Sequence, residues 1–545
     1  MVMLSFSRKQ IQLSKEEDEI QSNPNILPKL GSTLFLWSIM FSIIMNADWS
    51  EELRLGYGSL VVGCAMGCVL FWCLTVVLVE LMAAFPFTGG TALYTRAAFG
   101  KVMGHIAAQC QIWELELNCV SSLINLVGNI TSPVWSTMGT KYDGLWWAVC
   151  MVGCLAFIGI STRWFIRVIC LLAVLEAAAF TLAPLILIPK VDIQWGVANA
   201  SNTPIDQFTG VSTKTLFPTG IQGILQVLPI AVWVFLGIDG ITLLSQETHN
   251  FPKSGPRAIV QFMATSTIIY FLQIIICPLV SPGVSKVGFG SSQTILTQSL
   301  MNQFPNSQTL IICVYSLIQN VIGLWASVHL LSRQMISLGY IRYWPSFVIT
   351  TKYHMPRSGR LISREVPWFA LLIESGWILI TAAIQSALPF TPISVFIVTG
   401  ASLYSIAVSI FLFLAYIRLR YVGLHRPIKY TFTLPCAILG LIIAGITVVV
   451  MAGNADYRTA FWICIAKLCV EVAIYLAVQW WLRKRVKRVK TVVPILLFSS
   501  DNVLDVGERE RRKDDEVLEE AYDICDTGMD PEKSDSFQKH VLNLE

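Results

Sequence analysis

Met45-Asn46-Ala47-Asp48 interrupts the first long apolar segment, which begins at Thr33, and Gly237-Ile238-Asp239-Gly240 interrupts the sixth, which begins near Ile221. Lipid offers no partner for a freed backbone N–H or C=O, so an apolar run long enough to cross a bilayer ordinarily stays helical. A polar or glycine break is sustained there only where it is buried in protein or lines a cavity. Two breaks at corresponding positions of two halves are the sequence mark of a midplane binding site in a secondary transporter.

Composition agrees. Mean hydropathy is +0.62, with 54% hydrophobic and 14% charged residues, far from the balance of a soluble globular domain. The net charge of +4 is small, and no basic run interleaves with aromatics in the body of the chain, which argues against a nucleic-acid partner. The 14 cysteines form no CxxC pair with a matching His or Cys set. Nearly all lie in apolar segments, where cysteine behaves as a small buried hydrophobe, so no metal, cofactor or disulfide framework is expected. There is no HExxH, nucleophile–base constellation or cofactor loop, so an enzyme is not expected either. The polar, acidic stretch from Lys15 to Glu19 lacks a basic region and cleavage site, so no removable signal peptide is predicted.

Spans of about 20 residues are predicted to begin near Thr33, Ser59, Val102, Leu145, Phe165, Ile221, Ala258, Gln308, Trp368, Ile393, Thr433 and Ala460. One set of alternate loops holds most Lys and Arg: Arg96 and Lys101, Arg163 and Arg167, Lys253 and Arg257, then Arg333 to Arg364, Arg418 to Lys429, and the run from Arg483. The opposite loops carry scattered single cations such as Arg54 and Lys141. This bias predicts an all-α, twelve-span integral membrane protein with both termini in the cytoplasm. Spans one to five and six to ten each start with a broken helix, and an odd number per half makes the two repeats inverted; spans eleven and twelve are appended. The predicted organisation is a cytoplasmic tail over 1–30, a transporter body over 31–482 and a charged cytoplasmic tail over 483–545.

After the second span comes Glu80-Leu81-Met82-Ala83-Ala84-Phe85-Pro86-Phe87-Thr88-Gly89-Gly90-Thr91-Ala92-Leu93-Tyr94. The sixth span continues through Gln246-Glu247-Thr248 to Pro252-Lys253 and Pro256-Arg257, and the eighth ends in Ser332-Arg333-Gln334. In order and placement this resembles the amino acid–polyamine–organocation (APC) transporter family, over about Thr33 to Leu482. Ser332-Arg333-Gln334, Leu175-Glu176 and the Asp at the first break look most like its ethanolamine-permease branch. The resemblance implies a LeuT-like 5+5 inverted repeat with helices 1 and 6 broken, and a plasma-membrane carrier of amino acids or related amines. The loop from Ser136 to Gly144 lacks the cysteine by which some members join a single-span glycoprotein, so no disulfide-linked heavy chain is expected. The chain departs from the family at the first break. Amino acid carriers usually place a small glycine-containing stretch there to cradle the substrate carboxylate, whereas this chain has Asn46-Ala47-Asp48-Trp49.

A fixed Asp charge repels a carboxylate and welcomes an ammonium. Glu114 and Glu116 in span three, Glu176 in span five, and Asp48 and Asp239 at the breaks are costly in lipid unless they face a cavity or partner. No Lys or Arg is expected within the spans to pair with them; His329 in span eight is the nearest base, read as a hydrogen-bonded core histidine. Glu114 and Glu116 point about 200° apart on a helix, so one faces the pocket and the other a neighbouring helix; Glu116 is chosen for the pocket. The predicted substrate site is Asn46, Ala47, Asp48, Glu116, Phe235, Gly237, Asp239 and Gly240, with Glu176 a proton carrier for coupled uptake. Gly89 and Gly90 are read as a tight turn without a binding role. Three functions stay open: a carrier of small organic amines, a general amino acid permease holding the carboxylate on helix-1 backbone, and a non-transporting sensor of the same fold.

Overall fold

The computed structural model of the chain describes residues 31–44, 55–85, 89–134, 143–201, 216–245, 247–281, 283, 295–340, 367–387, 393–422 and 427–492. The described chain is helical: α1 (Thr33–Ile44), α2 (Tyr57–Ala84), α3 (Gly90–Phe99), α4 (Lys101–Val134), α5 (Asp143–Ile160), α6 (Thr162–Leu187), α7 (Ile193–Ser201) and α8 (Gly220–Trp233). A 3₁₀ segment, Ile238–Leu244, leads into α9 (Phe251–Ile276), α10 (Ile295–Gln303), α11 (Gln308–Ile312) and, through a π turn, α12 (Ile318–Tyr340). The chain then forms α13 (Trp368–Ala387), α14 (Ile393–Tyr421), α15 (Thr433–Gly453) and α16 (Ala455–Val492).

Eight described segments are long and apolar enough to cross a membrane, and three shorter apolar helices, Thr33–Ile44, Gly144–Gly159 and Trp368–Ile384, accompany them. With 34 residues α4 is also long enough, yet it belongs to neither group. Its middle carries Gln111, Glu114, Glu116 and Asn118, all buried. Such a helix stays in a membrane protein by turning its polar groups to the bundle interior. It packs against α3, α12 and α14 and is the central strut of the fold.

Helix starts fall close to the sequence expectations, with one instructive difference. The Pro252-Lys253 and Pro256-Arg257 stretch, expected as a loop, forms the first turns of α9, which starts at Phe251. Pro252 sits where a helix leaves its N–H unpaired in any case, so it starts the helix rather than blocking it. Arg333 likewise lies within the helical segment Pro305–Gly339 and is buried, not in a loop. At the far end, α16 continues to Val492, past the expected limit of the body at 482.

Small residues set a close contact between α2 and α8. Gly63 and Gly67 of α2 face Val227 and Ala231 of α8, and a Cβ added at Gly67 would stand 2.7 Å from the Ala231 Cβ. Glycines spaced four apart let two helices approach this closely. Gly67→Val is expected to lower stability by about 1–3 kcal/mol through overpacking, read as a drop in melting temperature of the detergent-solubilised protein.

Candidate functional site at the interrupted sixth span

Helix α8 ends at Trp233, and the chain turns through Val234–Gly237 before the 3₁₀ segment. Gly237 makes the break possible, with φ 85° and ψ 5° in the left-handed region, where a Cβ costs about 1–2 kcal/mol. A Cβ there would also stand 3.1 Å from Ile43 Cγ2 of α1. Gly237→Ala is therefore expected to destabilise the fold by at least that conformational cost, read as a lowered melting temperature. Gly240 also allows a close approach: a Cβ there would stand 2.6 Å from Leu330 Cδ1 of α12.

The backbone freed by the break is caught by a side chain. Glu114 Oε1 accepts the Gly237 N–H at 2.8 Å. The Ser405 hydroxyl of α14 is a second neighbour of this carboxyl, while its other oxygen, Oε2, is buried and meets no hydrogen-bond geometry among the described residues. Glu116 points elsewhere, its Oε1 accepting from the Thr381 hydroxyl on α13. The structure thus brings Glu114, not Glu116, to the break, in accord with their opposed directions on one helix.

Asp239 is also held by neutral donors. Its Oδ2 accepts the Thr91 hydroxyl at 3.3 Å and the Gln111 side-chain amide. Thr91 follows Gly89 and Gly90, whose φ values are 151° and 53°. A Cβ at Gly90 would lie 2.8 Å from Thr242 Oγ1 and 2.9 Å from Leu243 Cδ2. The glycine pair after the second span therefore docks on the 3₁₀ segment of the sixth and aims Thr91 at Asp239.

Phe235 is buried between Phe71 and Tyr270, each ring centroid 5.7 Å away. Tyr270 donates its hydroxyl to the Ile44 carbonyl at 2.7 Å, tying α9 to the last described residue of α1. Asn46, Ala47 and Asp48 lie outside the described residues. Glu176 on α6 is buried, and neither carboxyl oxygen has a hydrogen-bond partner among the described residues.

Two basic residues correct the expectation that the spans lack cations. Lys467 lies inside the span Tyr457–Val478, with Nζ 3.9 Å from Glu471 one turn on. Glu471 accepts the Trp113 indole N–H at 2.9 Å, which links α16 to α4. The second is Arg333. Its guanidinium pairs with Glu247, the Nε bond measuring 2.6 Å, and His329 Nε2 meets the other carboxylate oxygen at 3.0 Å. The His329 ring stacks on Phe165, centroids 4.5 Å apart. Burial by itself would raise the Glu247 carboxyl, but Arg333 and His329 outweigh it and hold the group down at about 2. The Glu247 carbonyl accepts the Gly31 N–H at 2.6 Å, and Gly31 accepts from His249 at 3.1 Å. The triad thus ties the start of α1 to α12. Sequence reasoning had both motifs but no signal that they touch.

A family profile described as amino acid permease matches residues 43–474, a range that takes in both polar breaks read from the sequence and the acids of α4. No curated protein matches the chain. The matched range is most of the chain, and the described helices are those of a multi-pass membrane protein. The chain belongs to the amino acid permease family, which implies a multi-pass membrane transporter of amino acids or related amines rather than an enzyme.

Proposed function

We propose that the chain is a secondary active carrier of small organic amines, including amino alcohols of the ethanolamine kind, working by alternating access around the break in span six. The observation that carries this reading is Glu114: a buried carboxylate at the break, one oxygen on the Gly237 N–H and the other without a partner among the described residues. An acceptor-only oxygen in a desolvated site suits an ammonium donor, and a charge-assisted bond there is stronger than a neutral one. Asp239, occupied by Thr91 and Gln111, is read as positioning the 3₁₀ segment. In this proposal Glu114 replaces Glu116 in the site, alongside Asn46, Ala47, Asp48, Phe235, Gly237 and Gly240.

The remaining organisation is part of the same proposal. Twelve crossings form two inverted five-span repeats plus two further spans, within a body over 31–482 that has charged cytoplasmic tails at 1–30 and 483–545. The carrier resides in the plasma membrane. Glu176, buried with both oxygens unpartnered among the described residues, carries the coupling proton. A buried intramembrane acid that no hydrogen bond holds is free to exchange a proton when helix movement changes its surroundings.

Uptake of radiolabelled ethanolamine by proteoliposomes, with and without an inward proton gradient, tests this reading. The expected result is saturable uptake, raised by the gradient and competed by putrescine more strongly than by leucine. Leucine or arginine as the best competitor would leave a general amino acid permease. Absence of flux from folded protein would leave a sensor.

A further inference from the structure

We propose that a groove between α1, α6 and α9 binds one anionic glycerophospholipid of the cytoplasmic leaflet. The groove has a volume of about 580 Å³ and is lined by Thr33, Leu34 and Trp37 of α1, Val174 of α6, and Arg257, Gln261 and Thr265 of α9. Its two kinds of lining are segregated. Arg257, Gln261 and Thr265 are spaced four apart and form one stripe about 12 Å long on α9. Apart from Thr33 at the first turn of α1, the opposing wall is apolar, with Leu34 49% and Val174 45% exposed and Trp37 stacked on Phe41 behind it at 4.9 Å.

The three helices start at the same end of the bundle. Gly31, just before α1, bridges to Thr248, just before α9. The rings of Phe35 at the start of α1 and Phe165 at the start of α6 both meet His329. Cations gather at that end: Lys253 lies one turn before Arg257, and Arg167 of α6 covers Trp164 at 5.8 Å. Arg257 meets no carboxylate, and the Gln261 amide no hydrogen-bond partner, among the described residues; the Thr265 hydroxyl donates to the Gln261 carbonyl at 2.7 Å.

A guanidinium and a primary amide facing hydrocarbon are costly, since lipid tails satisfy neither. A phospholipid supplies what each wall lacks. Its phosphate oxygens accept from Arg257, its glycerol ester carbonyls accept from the Gln261 amide, and an acyl chain covers Leu34, Trp37 and Val174. The excess of positive charge at the mouth selects an anionic headgroup over a zwitterionic one. Because α1 forms one wall, a bound lipid braces its first turns against α9.

The proposal rests on reading this end of the bundle as cytoplasmic, and its test reads binding rather than uptake. Purified protein is titrated with phosphatidylglycerol or phosphatidylcholine, with bound lipid counted by native mass spectrometry and melting temperature recorded alongside. One phosphatidylglycerol per chain is expected, with at least tenfold preference over phosphatidylcholine and a rise in melting temperature. Arg257→Gln is expected to lose that preference, and Val174→Trp, which fills the groove and keeps the charge, to lose the bound lipid. Glycerol phosphate alone, having no acyl chain, is expected neither to bind nor to compete. Equal binding of both lipids, undiminished binding by folded Arg257→Gln, or equal competition by glycerol phosphate would overturn the proposal. Loss of amine uptake with lipid binding intact would count against the functional reading alone.

Discussion

Glu114→Gln is expected to weaken the apparent affinity for amine substrates about a hundredfold, a loss of about 3 kcal/mol, while the protein remains folded. The amide oxygen of Gln still accepts the Gly237 N–H, so the bond that closes the break in span six survives. What is lost is the negative charge and the second acceptor, and with them the charge-assisted bond to an ammonium. Glu116→Gln provides the contrast. Its carboxylate bonds to Thr381 on α13, away from the break, so it is expected to leave affinity within a few-fold of wild type. Uptake by proteoliposomes, with size-exclusion profiles of each variant, separates the two. Equal losses in both variants would contradict the assignment of Glu114 to the site.

Arg333→Met is expected to destabilise the protein by about 3–5 kcal/mol, the usual consequence of leaving one member of a buried ion pair uncompensated. Glu247 is 1% exposed, and its guanidinium partner comes from α12. Without Arg333 it retains only His329, itself buried. The same pair sets an acid limit. The Glu247 carboxyl is held at about 2 in the folded protein, against about 4.3 for an unperturbed Glu. A depressed folded value contributes stability that is fully present above the unfolded value and is lost as pH falls from there towards about 2. Melting temperature measured downward from neutral pH should therefore begin to fall near pH 4 in the wild type. Glu247→Gln should start lower and lack this component of the fall. A pH profile identical in shape for both proteins would contradict it.

The start of α1 depends on this pair, because Gly31 bonds to the Glu247 backbone. Loosening the triad should free the first turns of α1 from α12. Arg333→Met protein that survives purification is accordingly expected to be digested faster near Gly31 than wild type.

What could be read in the sequence was local. Twelve helix starts and the break at Gly237 are carried by hydropathy and by a glycine, properties of short stretches, and the described helices begin near the predicted positions. The partner of each acid was not legible, because the rotation of α4 about its axis is set by packing against α3, α12 and α14. Each residue along the helix turns a side chain by about 100°, so an error of two residues in that rotation exchanges Glu114 for Glu116 at the break. Lys467 escaped notice for another reason: its span is otherwise apolar, and its partner Glu471 lies one turn away on the same helix. Pro252 was misplaced because a proline at a helix start reads like a proline in a loop until the helix is seen. Thr91 and Gln111 are site neighbours only through the docking of α3 and α4 on the 3₁₀ segment, a contact across more than a hundred residues of chain.

The central claim is that an ammonium is recognised at Glu114, and equilibrium binding to the purified protein tests it most directly. Ethanolamine, leucine and N-acetylethanolamine would be compared as competitors of a labelled amine; acetylation removes the ammonium and leaves the hydroxyl end intact. The account predicts that ethanolamine competes, and that acetylation weakens it at least a hundredfold in wild type but by less than tenfold in Glu114→Gln. Competition by N-acetylethanolamine equal to that of ethanolamine in the wild type would contradict it.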